Sequence, residues 1–291
     1  MQRSHRQKAP DIDDIGGALD RLVATLRDDA DPLLWLLYGR PASVYVYRRA
    51  VGSAVLCGLF GIAMGFDRQA IFDLTLGGLL LDIGKAAIPM PILVQTRPLN
   101  AAELEYVRRH ASDGYDAARL SRAIPGRVLD MIRAHHERMD GSGYPRRLRG
   151  TEIPLFARIA AIVDTYDALT LDRGYAAAMS QHAAIEYMRG QRDAKFDAAM
   201  VAEFRTALGR YPTGTWVVME TGHHGVVFSQ GNDRGRASRV YRVYAPDGQT
   251  MDQPDLIDRK AGNTVVRALH PGTHRLAPGQ ADQVLAAAAP A

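Results

Sequence analysis

From Asp14 to about Leu208, apolar positions recur at the spacing of amphipathic helices, with short turns between them. In GALDRLVATLR, residues Leu19, Leu22, Val23 and Leu26 fall on one helical face. Two long apolar segments follow at 42–64 and 68–81, until Pro89 and Pro91 in KAAIPMPIL break the pattern. Asn100, with Glu103 three residues on, has the form of a capping box opening a helix at AAELEYVRRH. Further helices are expected over 125–138, 155–170, 180–191 and 196–208. After Tyr211-Pro212 the texture changes: TWVVME, GVVFS and RVYRVYA are short β-branched and aromatic runs, separated by TGHH, QGNDRG and PDGQ turns. The pattern predicts a mainly α protein. It reads as a disordered N-terminus over 1–13, a helical bundle over 14–210, a small β-rich appendage over 211–272 and a flexible Ala/Pro tail over 273–291.

Composition narrows the function classes. The 291 residues are 47% hydrophobic and 23% charged, as expected of a globular chain with a sizeable core. The net charge is only +4, and no Lys/Arg block stands out after the first few residues. A nucleic-acid polymer is therefore not the expected partner, and a mildly basic surface suits a small anionic ligand. The lone cysteine, Cys57, lies in an apolar run, cannot form an intrachain disulfide and points to a reducing cytoplasm. MQRSHRQKAP lacks the apolar stretch of a signal peptide. The uncharged run at 50–66 carries four glycines and is at the short end for a membrane span, so it is read as a buried core helix.

Chemistry is suggested by polar residues set in apolar surroundings: Asp82 after GLLL, His110 ending YVRRH, the pair His135-His136, and Asp164 in RIAAIVDTYDAL. A carboxylate in a run such as IAAIVD needs a metal or a counter-charge. Histidines and carboxylates drawn from separate helices are how bundles assemble metal centres. Each residue alone has a plainer reading: a histidine capping a helix end, or Asp82 pairing with Lys85. Their number, and the glycine-rich loop after the histidine pair, favour the metal.

The stretches LLLDIGKAAIP, RRHASDGYDAARL, HHERMDGSGYP, LRGTEIPLFARIAAIVDTYDALT and DRGYAAAMS resemble the HD-GYP branch of the HD-domain phosphohydrolases, from about Val44 to Leu208. The resemblance implies an HD-domain helical bundle that holds two or three iron or manganese ions and cleaves the bacterial messenger cyclic di-GMP. It also implies roles for particular residues. Asp82 would bridge two metals; His110, His135 and His136 would bind the second metal, and Asp164 the first. Lys85 would lie near the substrate phosphate and Arg173 would grip a phosphate. The GYP motif, Gly143, Tyr144 and Pro145, would lie near the site and dock partners such as diguanylate cyclases (GGDEF enzymes).

The sequence departs from that pattern at the first metal. The histidine expected before Asp82 is Leu81. The histidine expected after the YxYR run is Arg49, a register supported by Gly65 sixteen residues on. Leucine has no lone pair, and a permanent guanidinium repels a divalent ion. Arg49 is therefore expected to stand in the first metal's place, paired with Asp82 or Asp164. After Arg173, Gly174 and Ala176 replace an expected proline and basic residue, which removes one phosphate contact. The expectation is a degenerate HD-GYP protein of cyclic di-GMP signalling, with at most one iron or manganese ion per chain. The alternatives are an active monometallic phosphodiesterase and a pure interaction scaffold.

Overall fold

The computed structural model describes residues 13–38, 45–93, 95, 97–171, 178–231, 238–259, 264–270, 272–277 and 279–288. The N-terminus expected to be disordered lies almost wholly outside them. The helices run in the order α1 (Asp13–Asp28), α2 (Asp31–Tyr38), α3 (Tyr45–Ala63), α4 (Arg68–Leu80), α5 (Met90–Leu93), α6 (Ala101–Arg108), α7 (His110–Ala118), α8 (Gly126–Ala134), α9 (Leu155–Thr170), α10 (Gln181–Lys195) and α11 (Ala198–Leu208). A 3-10 turn, Ile83–Ala87, follows α4.

The apolar run at 50–66 lies mostly inside α3, where Leu56, Cys57 and Phe60 are buried against Ile159, Ile162, Val163 and Tyr166 of α9 and Phe204 of α11. Among the described residues no helix is long and apolar enough to cross a membrane. Two glycines permit close approaches that no other residue would. A Cβ on Gly78 would come within 2.5 Å of the Ser53 carbonyl oxygen, so α4 lies directly on α3. A Cβ on Gly84 would come within 2.0 Å of the His110 carbonyl oxygen, which presses the 3-10 turn carrying Lys85 against the start of α7. Asn100 and Glu103 form the expected capping box at the start of α6.

One helix is shorter than its pattern predicts. Residues 125–138 were expected to be helical, but α8 ends at Ala134 with His135 at its C-cap. The cause is Glu137, whose buried carboxylate accepts the backbone N–H groups of Arg146 at 2.7 Å and Leu148 at 3.0 Å. That carboxylate draws the glycine-rich loop back over the helix end.

The C-terminal part forms five antiparallel strands, β1 (Trp216–Met219), β2 (His224–Ser229), β3 (Arg239–Tyr244), β4 (Thr250–Asp258) and β5 (Val265–Ala268), in the order β4-β3-β2-β1-β5. The edge strands β4, which is rich in polar residues, and β5, which is only four residues long, are half-exposed and carry no clear alternation in the sequence. Pro254 is tolerated in β4 because an edge strand need not donate from every position.

The tail expected to be flexible instead carries a helix, α12 (Gln280–Ala288). Its Ala281 and Val284 are buried beside Trp35 of α2 and Val226, Phe228, Tyr241 and Val243 of the sheet. The Trp35 indole N–H donates to the Ala281 carbonyl at 3.0 Å. Helix α2 therefore contributes to the sheet's core although it precedes the bundle in sequence.

Asp31, at the start of α2, secures the same junction. Its carboxylate accepts the Gln230 N–H at 3.1 and 3.2 Å and the Thr213 hydroxyl at 3.4 Å. Burial raises its pKa from 3.8 to about 6, against the lowering effect of the Gln230 bond. The folded state thus holds this proton more tightly than the unfolded chain. Its stabilising effect is complete below pH ~4 and is lost as pH rises through about 6. Asp31→Asn is expected to cut the fall in unfolding free energy between pH 4 and pH 7 by ~1–3 kcal/mol, read from urea unfolding at both pH values.

Candidate metal centre

Five elements meet at the site: the N-terminal end of α3 that carries Arg49, the turn after α4, the start of α7, the end of α8, and the middle of α9. The three histidines converge. His110 Nε2 lies 3.4 Å from His135 Nε2 and 3.2 Å from His136 Nε2. Carbonyl oxygens can only accept, so His110 Nδ1 donates to Val107 at 2.7 Å and His135 Nδ1 donates to Ile132 at 2.9 Å. Each neutral ring then turns its Nε2 lone pair inward. Burial holds the rings neutral: it lowers His110 to about 4, with His135 adding to the effect, and lowers His135 and His136 as well.

Two lone pairs 3.4 Å apart repel unless a cation lies between them. Separations of 3.2 and 3.4 Å suit nitrogens that share one ion at about 2.1 Å. Asp82 adds an oxygen, its Oδ1 lying 3.4 Å from His110 Nε2 and 3.9 Å from His135 Nε2. This Oδ1 is buried and accepts no hydrogen bond among the described residues, a state that is costly for a carboxylate oxygen. The donor set therefore fits a metal ion: three imidazole nitrogens could hold one, with Asp82 beside them.

The other half of the pocket is organised by a guanidinium. Arg49 is buried, and its Nη2 donates to Asp164 Oδ1. Its Nε lies 3.7 Å from Asp82 Oδ2 and 3.9 Å from Asp167 Oδ2, so one cation faces three carboxylates. Burial alone would raise the Asp164 carboxyl, but Arg49, with the neighbouring His136, His135 and Lys85, together outweighs it and holds that group well below the usual carboxylate range. For Asp82 too, burial is offset by Lys85 and Arg49, and the net shift is downward. Asp167 goes the other way: burial raises it to about 6 despite Arg49. Lys85 Nζ donates to Asp82 Oδ2 at 2.6 Å and keeps a third of its side chain exposed. Leu81 is buried within the apolar core and offers the pocket no donor.

The structure thus brings Arg49, Asp82, Lys85, His110, His135, His136 and Asp164 into one site. In the GYP motif, the Tyr144 ring stacks on His136 at 4.6 Å and 23°, with Gly143 and Pro145 on either side. Arg173 lies outside the described residues. Asp167 was missed from the sequence, although its place three residues after Asp164 puts it on the same helical face. Glu137 was missed as well, because a glutamate following a histidine pair reads as a solvated helix end.

A family model described as HD domain matches residues 38–200. A cyclic di-GMP phosphodiesterase of Pseudomonas aeruginosa is 34% identical over 225 residues, which cover 77% of this chain and 53% of that protein. The cyclic di-GMP phosphodiesterase response regulator RpfG of Xanthomonas campestris is 36% identical over 170 residues, 56% of this chain and 45% of its own length. The chain thus spans about half the length of these relatives. Among solved structures, the HDG"Y"P protein Bd1817 from Bdellovibrio bacteriovorus superposes with a TM-score of 0.57 at 18% identity, covering 66% of this chain and 62% of that one. At that identity the likeness speaks for the fold alone.

Removing the guanidinium strands buried charge. Arg49→Ala is expected to lower the unfolding free energy of metal-free protein by ~3–5 kcal/mol. Lys85→Ala, which removes a partly exposed pair, is expected to cost ~1 kcal/mol or less. Denaturant titration of the two variants side by side checks the order.

Proposed function

The chain belongs to the HD domain family, in its HD-GYP branch, and from that premise we propose that it binds a cyclic dinucleotide such as cyclic di-GMP and hydrolyses it slowly or not at all. The observation that carries the reading is Arg49 held among Asp82, Asp164 and Asp167, beside three convergent histidines. At most one iron or manganese ion per chain would be held, by His110, His135 and His136 with Asp82. Such an ion supplies Lewis-acid charge to a phosphoryl group.

The chain's own residues account for the rest. The Val107 and Ile132 carbonyls fix the His110 and His135 tautomers, so both rings bind as neutral acceptors. Arg49 gives Asp164 and Asp167 a permanent counter-charge and leaves Asp164 little capacity to hold a second ion. Lys85, partly exposed at the rim, can turn its ammonium from Asp82 to an incoming phosphate. A guanidinium attracts a phosphodiester as an ion does, but it neither polarises water strongly nor gives up a proton near neutral pH. Binding therefore outlasts hydrolysis at such a centre. The GYP loop would offer a surface to a signalling partner such as a diguanylate cyclase.

The test is turnover and metal content together. Purified protein supplied with manganese or ferrous iron is expected to carry no more than one ion per chain and to release little or no linear dinucleotide or GMP. Asp82→Ala serves as the contamination control. The double variant Arg49→His with Leu81→His is expected to raise the metal content toward two ions and turnover by at least ~100-fold. Brisk turnover by the wild type, abolished in Asp82→Ala, overturns the reading.

A further inference from the structure

Among the described residues other than glycine, only Arg147 has a positive φ, at 57°. Glycine occupies that region freely, whereas arginine pays a steric cost there. The cause of the conformation is visible. Buried Glu137 accepts the N–H groups of Arg146 and Leu148, one residue on each side, and so fixes the backbone through Arg147. The strained residue is thereby presented to a groove of about 490 Å³ with Arg108, Arg109, Ser142 and Tyr144 on its walls.

The charge of this groove is lopsided. Three arginines line it against one carboxylate, Glu105, which meets Arg108 at 3.8 Å from a largely exposed position and so neutralises little. The groove is also joined to the histidine cluster. The Arg108 guanidinium lies 5.4 Å over the Tyr144 ring, and that ring stacks on His136. An anion seated between the arginines would therefore lie against the outer face of the same tyrosine that covers the metal centre.

We propose that Arg108, Arg109 and Arg147 form a phosphate-binding groove beside the metal centre, which grips a phosphodiester of the bound nucleotide. Guanidinium groups suit this anion because they donate in pairs to phosphate oxygens. That the anion is part of a cyclic dinucleotide rests on the function proposed above; that the groove takes phosphate does not.

Arg147→Gly separates use from architecture, because glycine relieves the backbone while removing the charge. Calorimetric titration with cyclic di-GMP and, separately, with inorganic pyrophosphate is run on the full chain, on Arg147→Gly, on Arg147→Lys and on the pair Arg108→Ala with Arg109→Ala. The expected result is at least ~10-fold weaker cyclic di-GMP binding in Arg147→Gly and in the Arg108/Arg109 pair, with most affinity retained in Arg147→Lys. The melting temperature of Arg147→Gly is expected not to fall, which excludes a folding defect as the cause. Unchanged affinity for cyclic di-GMP in Arg147→Gly and in the Arg108/Arg109 pair overturns the groove and leaves the proposed function standing. If the wild type binds no cyclic di-GMP, the proposed function fails, and pyrophosphate decides the groove. Pyrophosphate binding weakened in Arg147→Gly supports it; absent or unaltered pyrophosphate binding overturns it.

Discussion

The centre of the bundle depends on one requirement, that carboxylates removed from water must face positive charge. Asp82, Asp164 and Asp167 come from two elements that pack on α3, and each would be expensive to bury alone. Arg49 meets all three from the opposite side. Because a guanidinium does not dissociate and hardly deprotonates, this half of the pocket keeps its charge balance whatever its metal load. The histidine half does not. It presents inward lone pairs and an unsatisfied Asp82 oxygen, and so retains the demand for a cation. One pocket thus combines a counter-charge built into the chain with a counter-charge that must be bound.

The two halves are coupled through Asp82, whose oxygens are divided between them. Oδ2 takes the Lys85 ammonium at 2.6 Å and faces Arg49 at 3.7 Å, while Oδ1 faces His110 and His135. Tightening either side polarises the carboxylate that serves the other. The close packing permitted by Gly84 holds the turn after Asp82 against α7, and so keeps the aspartate beside the His110 ring.

Much of this was legible in the sequence because it is local. Helical periodicity located the bundle, the capping box located α6, and the change to β-branched runs located the first three strands. Arg49 and Leu81 stood out because their chemistry contradicts the motifs around them. What escaped depends on contacts distant in sequence. Residues 135–138 are helix-compatible until Glu137 finds its partners at 146 and 148. Helix α12 is a short alanine-rich segment until Trp35, 246 positions away, gives it an apolar neighbour and a hydrogen bond. Asp167 looks like an ordinary helix residue until packing buries it and brings Arg49 of α3 to its carboxylate.

The placement of Tyr144 shows why loop and centre should be regarded as one unit. Its ring lies flat on His136, and the loop that presents it is tied back by Glu137, the residue immediately after that histidine. Any movement of the His136 ring therefore acts directly on the tyrosine, and any load on the loop acts through a two-point hydrogen bond on the segment bearing His135 and His136. Arg138 continues the same segment inward, with Nη1 donating to the His135 carbonyl at 3.1 Å and its guanidinium over Phe196. Its cation is buried near Asp164, so a pull on the loop also reaches the carboxylate that Arg49 neutralises. The path from the loop to the centre therefore runs through ring stacking and hydrogen bonds within one short segment of chain.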